Sequence, residues 1–374
     1  MKTTYSADDR KGALPAETLH ELCAAGFIKS ADVAALSKNI RPSSLDLSVS
    51  NEVYKVEGIF QPKSRETVRQ VLDCIRKTRH PILRPLERNQ MYLIRLNETL
   101  ALPEVVYGLT NPKSTSGRID VHVRLLADGV SRYDYLPAGF RGELWISIMP
   151  KSFPVKLYEG VTLNQLRLFN ADTRLNDFEL EVAFKKHKLL WRRTGEAYTY
   201  EDILVRDHDG SVILTLDLEG TILGWEGVPN THLVDLAKIS FYDAKKFFKP
   251  VKKKGDYVYL KKGSFYILST HEYVRVPPEF ACEMVPMDER SGEFRSHYAG
   301  FIDPGWGWGK AGEGKGRPLT LEVRPFEDLI VRQGQPIAKI RFEKVTEAPR
   351  EPYDTLNPNY ARQTGPKLAK HFKN

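Results

Sequence analysis

The sequence predicts a mainly β protein, with two β-barrel or jelly-roll units in tandem and a few short helices. Three observations carry this expectation. The 26 Gly and 23 Pro are scattered through the 374 residues rather than clustered, which punctuates a chain into many short strands and turns. Apolar and polar residues alternate over short runs: Leu319, Leu321 and Val323 flank Thr320 and Glu322 in "GRPLTLEVRP" (316–325), the period of a half-buried strand. And the chain is written twice.

The duplication is an order of features rather than an identity. "MYLIRLNETLALPEVVYGLT" (91–110) and "FYILSTHEYVRVPPEFACEM" (265–284) each run from an aromatic-apolar strand through a glutamate, Glu98 or Glu272, to an apolar-Pro pair and a second strand. Polar loops ending in Arg follow, "NPKSTSGR" (111–118) and "MDERSGEFR" (287–295). Then come "LPAGFRGELWISI" (136–148) and "IDPGWGWG…RPLTLEV" (302–323), and each copy closes on a Gly turn and a last strand, 156–169 and 330–343. This predicts one unit over 1–184, a polar connector over 185–209 and a second unit over 210–374.

Taken in order, 13–27 reads as a helix, with Pro15 near its start and Gly26 as its stop. Residues 64–78 read as an amphipathic helix, with Val68, Val71, Leu72 and Ile75 at helical spacing. "DHDG" (207–210) lacks the later ligands of a calcium loop and reads as a hairpin turn before the strand "SVILTLDL".

Composition narrows the class. With 41% hydrophobic and 28% charged residues, the chain has the balance of a soluble globular protein. No apolar run approaches the roughly 20 residues that span a bilayer, and "MKTTYSADDRKGALP" has no apolar signal core. The expectation is therefore a cytoplasmic protein without a membrane partner. Cys23, Cys74 and Cys282 are odd in number and far apart, and no C-x-x-C or H-x-E…P-C-x-x-C pattern exists. This argues against a thiolate zinc site and fits a reducing compartment. The net charge of +8 owes much to "KKFFKPVKKK" (245–254) and "KLAKHFKN" (367–374). Such runs read as solvated faces, and attraction to a polyanion is the sharper alternative.

Two features could carry chemistry. "KSTSGR" and "RSGEFR" each combine hydroxyl, glycine and cations within six residues, a loop able to offer N–H groups, Ser hydroxyls and Arg forks to phosphate oxygens. Glu322 is a carboxylate on an apolar strand, where shielding suits a proton shuttle for water. Its counterpart in "ELWISI" is Ser147, so only the second copy could use it. Trp306 and Trp308, in a Gly-rich turn, read as barrel-end packing. His297 stands beside the second loop.

"RSGEFR", "IDPGW", "LTLEV" and "YDTLNPNYARQTG", together with "NIRPSSLDLSV" (39–49), resemble the dCTP deaminase family of the trimeric-dUTPase-like superfamily. The resemblance covers nearly all of the chain, because the family's unit recurs, and it implies two dUTPase-like units. It further implies that Glu322 activates water for attack at C4 of cytosine and passes protons to the departing ammonia, without zinc. Lys113, Ser114 and Arg118 in the first copy, and Arg290, Ser291 and Arg295 in the second, would bind the triphosphate, with Mg²⁺ riding on the phosphates. Asp303 would lie near sugar and base, Thr320 beside the substrate, and Ala299 would leave room for the water. Tyr353 and Gln363 would belong to a closing tail. Family sites form between neighbouring units, so Ser114 and Arg118 of a first copy, within or between chains, would complete the Glu322 site. The resemblance also implies a homo-oligomer acting on the small molecule dCTP rather than on nucleic acid.

The chain departs from the family pattern in four places. It is shortened between Arg295 and Asp303, carries an insertion over 308–316, has Asn359 where a lysine is expected, and lacks the aspartate and glutamate in the first copy, where Leu136 precedes Pro137. Two other readings remain: a dUTP diphosphatase or bifunctional enzyme, and a non-catalytic nucleotide- or nucleic-acid-binding protein.

Overall fold

Alternation written into the two halves becomes two sets of antiparallel ladders with one register. In the computed structural model, which describes residues 10–295, 300–356, 360 and 363–373, Met91–Ala101 pairs with Arg141–Pro150, setting Tyr92 opposite Ile148 and Leu93 opposite Ser147. In the second half Tyr266–Val274 pairs with Arg317–Pro325, setting Tyr266 opposite Val323 and Ile267 opposite Glu322. Each ladder breaks register at the same place, after Arg95 and after Ser269. Ser44–Val56 pairs with Thr162–Phe169 as Ser211–Thr215 pairs with Pro336–Lys344. The closing strands pair onward with Tyr107–Pro112 and Phe280–Val285. Ser147 and Glu322 are thus equivalent by hydrogen-bond register, because directly opposite residues point to the same face.

The chain divides into one unit of 1–172 with 229–241 and a second of 173–228 with 242–374. These boundaries fall at other residues than the composition suggests. The polar stretch 185–209 lies within the second unit, where Tyr198, Tyr200 and Ile203 join its apolar core. Arg192 and Arg206 cover the faces of Tyr198 and Tyr200 at 4.0 and 4.2 Å. Polar composition concealed three core residues, and charged neighbours stack over the two tyrosines among them.

The helices are shorter than their periodic patterns. Ala16–Ala24 begins after Pro15 and stops before Gly26, whose φ of +77° closes the turn. Val68–Cys74 starts only where Thr67 and Gln70 form a capping box. The chain then extends, and Lys77–Arg79 joins the edge of Tyr54–Val56 as a strand. Asp177–His187 is capped by Asn176 and Glu179. "DHDG" is a bend rather than the expected hairpin turn: Gly210, at φ +75°, leads into Ser211–Thr215, which pairs with the distant strand Pro336–Lys344 and not with a preceding one. Among the described residues no helix is long and apolar enough to cross a membrane.

The units differ at one edge. In the first, Val155–Lys156 is covered by Val234–Asp235 in parallel pairing. In the second, Leu329–Arg332 pairs with Tyr257–Leu260, and among the described residues no strand covers its other edge.

A buried glutamate ties each unit in the same way. Glu98 accepts from the Ser48 N–H at 3.0 Å and its hydroxyl at 2.7 Å, and Glu272 accepts from the Thr215 N–H at 2.8 Å and its hydroxyl at 2.6 Å. Burial pushes both carboxyls above the ordinary carboxylate range, against the hydrogen bonds that lower them. Removing either side chain orphans a buried N–H and a hydroxyl. Glu98→Ala and Glu272→Ala are therefore each expected to lose about 1–3 kcal/mol in urea titrations, with Gln losing less. Because burial makes the folded pKa the higher one, the proton-linked part of the stability, distinct from these hydrogen bonds, is fully present below the unfolded carboxylate pKa and is lost as pH rises through the folded value. Comparing the pH profile of the urea midpoint with that of the Gln variants checks the sign.

Candidate active site on the Glu322 strand

Leu319, Leu321 and Val323 enter the apolar core of the second unit, so Thr320 and Glu322 necessarily point to the other face. The half-buried pattern suggested that this face is open. It is not, since Glu322 is only 1% exposed and Thr320 is buried too. Ile267 and Ser269 lie opposite them on one side, and Trp225 pairs with Ile267 on the next strand, Trp225–Gly227. On the other side Phe294–Arg295 sets Arg295 opposite Arg324, on the same face two residues from Glu322.

The rest of the cover is the C-terminal tail. Gln363 donates to the Pro318 carbonyl at 2.7 Å, the Thr320 hydroxyl lies 3.4 Å from both the Gly365 carbonyl and the Lys367 N–H, and the Trp225 indole donates to the Pro366 carbonyl at 3.0 Å. The terminal run read as a solvated basic face therefore buries Leu368, Ala369, His371 and Phe372. Its lysines supply the charge and the residues between them the packing.

A corner forms at the start of the strand. The turn after Phe301–Ile302 closes with the Trp306 N–H on the Asp303 carbonyl at 3.2 Å, and the Tyr353 N–H donates to the Pro304 carbonyl at 2.8 Å. Gly305 has φ +89°, and a Cβ there would stand 2.4 Å from that of Pro352, so only glycine lets the tail approach. Trp306 is core packing, as expected, and lies 5.1 Å from the Tyr353 ring. The insertion 308–316 is tied to this corner through Asp354, which accepts from Gly309 N–H at 2.8 Å and from both Arg317 amino groups at 2.5 and 2.8 Å. Sequence reasoning missed Asp354, Arg317 and Trp225. An Arg-Pro before "LTLE" and an aspartate opening the tail motif were the available signals.

The two phosphate-loop candidates have different surroundings. Arg290 is 77% exposed, its Nε 2.9 Å from Asp288, and with Ser291 it lines a cleft of about 440 Å³ shared with Arg206 and Lys339. In the first unit Lys113 donates to buried Asp46 at 2.6 Å and to Thr162 at 2.9 Å, and Asp46 also takes Arg41 at 2.8 Å. Ser114 opens the helix Ser114–Gly117, and Arg118 is buried. The structure thus gathers Arg295, Thr320, Glu322 and Gln363 on one face, with Asp303 and Tyr353 at its corner. It places Arg290 and Ser291 at the cleft, and Lys113, Ser114 and Arg118 in the first unit. Ala299 and His297 lie outside the described residues.

Comparison with known proteins decides the family. Residues 10–172 match the N-terminal domain and residues 186–372 the C-terminal domain of 2'-deoxycytidine 5'-triphosphate deaminase. The chain belongs to the dCTP deaminase family. It is similar to the crystal structure of 2'-deoxycytidine 5'-triphosphate deaminase from Agrobacterium tumefaciens, with 32% identity and a TM-score of 0.78 over 90% of this chain and 99% of that one. It is also 28% identical over 124 residues to a dCTP deaminase from Desulfurococcus amylolyticus, covering 32% of this chain and 62% of that relative's length. The fold is the dUTPase-like one expected from the motifs.

Within this dCTP deaminase-family chain, the first unit has filled the face that corresponds to that of Glu322. Trp145, in register with Thr320, is fully buried with Leu93, Val56, Val68 and Leu72. Arg69 lies 5.2 Å over the Trp145 ring, its guanidinium held by Glu52 at 2.9 Å and Glu143 at 2.8 Å. The helix Val68–Cys74 therefore occupies this face with apolar side chains, and Ser147 stands where Glu322 would be. Trp145→Ala is expected to cost about 3–5 kcal/mol of stability, read from the denaturant midpoint.

Proposed function

We propose that the protein deaminates dCTP to dUTP and ammonia, a reaction that supplies dUTP for dTTP synthesis. The observation that carries this reading is Glu322, a carboxylate enclosed on a strand face with Thr320 and Arg295, beneath a tail held by Gln363. Water adds its oxygen to C4 of cytosine as Glu322 takes a proton from it. Glu322 returns that proton to N3, then takes the remaining hydroxyl proton as the C4 carbonyl forms and delivers it to the amino group; the C4–N4 bond breaks, and ammonia leaves. One carboxylate thus serves as base and then acid.

Arg290, Ser291 and Arg295 are the proposed triphosphate ligands of the second unit, and Lys113, Ser114 and Arg118 those of the first. Asp303 is assigned to sugar and base, Ala299 to room for the attacking water, Thr320 to the substrate, and Tyr353 and Gln363 to closure. Mg²⁺ would be held by the phosphates and would neutralise their charge. The ligand atoms of Asp217, Glu219 and His271 lie within 4.8 Å of one another, but Arg193 donates to Asp217 at 2.5 Å and Gln333 meets His271 Nδ1 at 3.0 Å. Asp217 and His271 are thus already engaged in a polar clasp, and the proposed steps use no zinc. Three free cysteines fit a reducing cytoplasm, and a homo-oligomer accords with the dUTPase-like fold.

Incubation with dCTP and Mg²⁺ should yield dUTP and ammonia, and an unchanged dCTP pool would overturn the reading. Glu322→Gln should lower kcat by about 10²–10⁴ with KM little changed. Near wild-type turnover in that variant would remove Glu322 from the mechanism. Appearance of dUMP would identify the bifunctional alternative. Steeply salt-dependent binding of single-stranded DNA without turnover would favour the non-catalytic one.

A further inference from the structure

The tail over the Glu322 face is not a free end. At its start, Asp354 is fixed by Arg317 and by the Gly309 N–H. At its far end, Phe372 is 2% exposed, with ring centroids 5.2 Å from Phe247, 5.1 Å from Phe248 and 6.2 Å from Tyr242. The backbone is sewn there as well: the Tyr242 N–H donates to the His371 carbonyl at 3.1 Å and the Lys373 N–H to the Tyr242 carbonyl at 2.8 Å. Between the anchors, the Trp225 indole holds Pro366. Trp225 is two strands from Glu322 across the ladder, about 10 Å at the usual strand spacing.

We propose that Phe372 and Trp225 are positioning residues: they pin the far end of the tail so that its inner part lies across the Glu322 face before any nucleotide binds. The inference rests on the deaminase reading for its kinetic consequence and on the packing alone for its physical one. A free-ended tail must be ordered from a large ensemble each time substrate binds, and that cost weakens binding. A tail held at both ends keeps residues 363–369 at high effective concentration beside the site. The chemical step takes place with the tail already closed, so the anchor acts on substrate affinity rather than on the reacting atoms. The two basic runs share this one structure, since Phe247 and Phe248 of the first receive Phe372 of the second.

The test compares the full chain with Phe372→Ala, Phe372→Leu and a chain ending at Lys370. Amide hydrogen exchange without nucleotide should show protection lost at 363–369 in the Ala and truncated forms, with the Tyr266–Val274 and Arg317–Pro325 strands unchanged. In those two forms KM for dCTP should rise at least about tenfold with kcat within about threefold of wild type, and Leu should restore most of the loss. Unchanged protection and KM would overturn the proposal, as would a fall in kcat at constant KM. If the full chain does not turn over dCTP, the deaminase reading fails, and hydrogen exchange still decides the anchor.

Discussion

A β-strand has two faces, and a barrel core can cover only one of them. In each unit of this protein the long central ladder turns one set of side chains into the core and leaves the other set to be covered by something else. The register that puts Ile267 opposite Glu322 and Leu93 opposite Ser147 fixes which residues stand on that second face. A slip of one residue would send Glu322 into the apolar core and Leu321 outward. The matching breaks after Ser269 and Arg95, and the matching glutamates Glu272 and Glu98, hold both ladders against such a slip.

The units answer the same need with different chemistry. The first uses a helix: Val68 and Leu72 meet Trp145, and Arg69 bridges Glu52 and Glu143 above the indole. This cover is apolar, and its rim is charged. The second uses the tail, which meets the face through Gln363, Thr320 and Trp225 and through backbone carbonyls. One copy has become a closed packing surface and the other has kept a carboxylate beneath a polar strap.

Much of the fold was legible because duplication makes the order of features redundant. Glu98 and Glu272 could be matched from sequence, and so could Ser147 and Glu322. The resemblance implied a closing tail at Tyr353 and Gln363, but the residues themselves could not show how the outer cover packs, because it comes from residues distant in the chain. Thr320 gave no sign that 365–367 would lie against it, and "KLAKHFKN" gave none that Phe372 would meet Phe247 and Phe248. Charge dominates the composition of both runs, whereas three phenylalanines among eighteen residues decide their packing. The connector misled for the same reason, with Tyr198 and Tyr200 hidden beneath the arginines that made it look polar.

The difference in cover bears on which face can receive a ligand. An apolar helix packed on Trp145 excludes a charged nucleotide, because opening it exposes Val68, Leu72 and the indole to water and returns nothing that a triphosphate could use. A strap held by hydrogen bonds exchanges one set of polar partners for another, so its opening belongs to the low end of the local stability scale. The tail's aromatic far end sets a limit to that opening. It supplies the apolar burial that the polar middle lacks, and it does so away from Glu322, where a buried ring need not give way when substrate arrives.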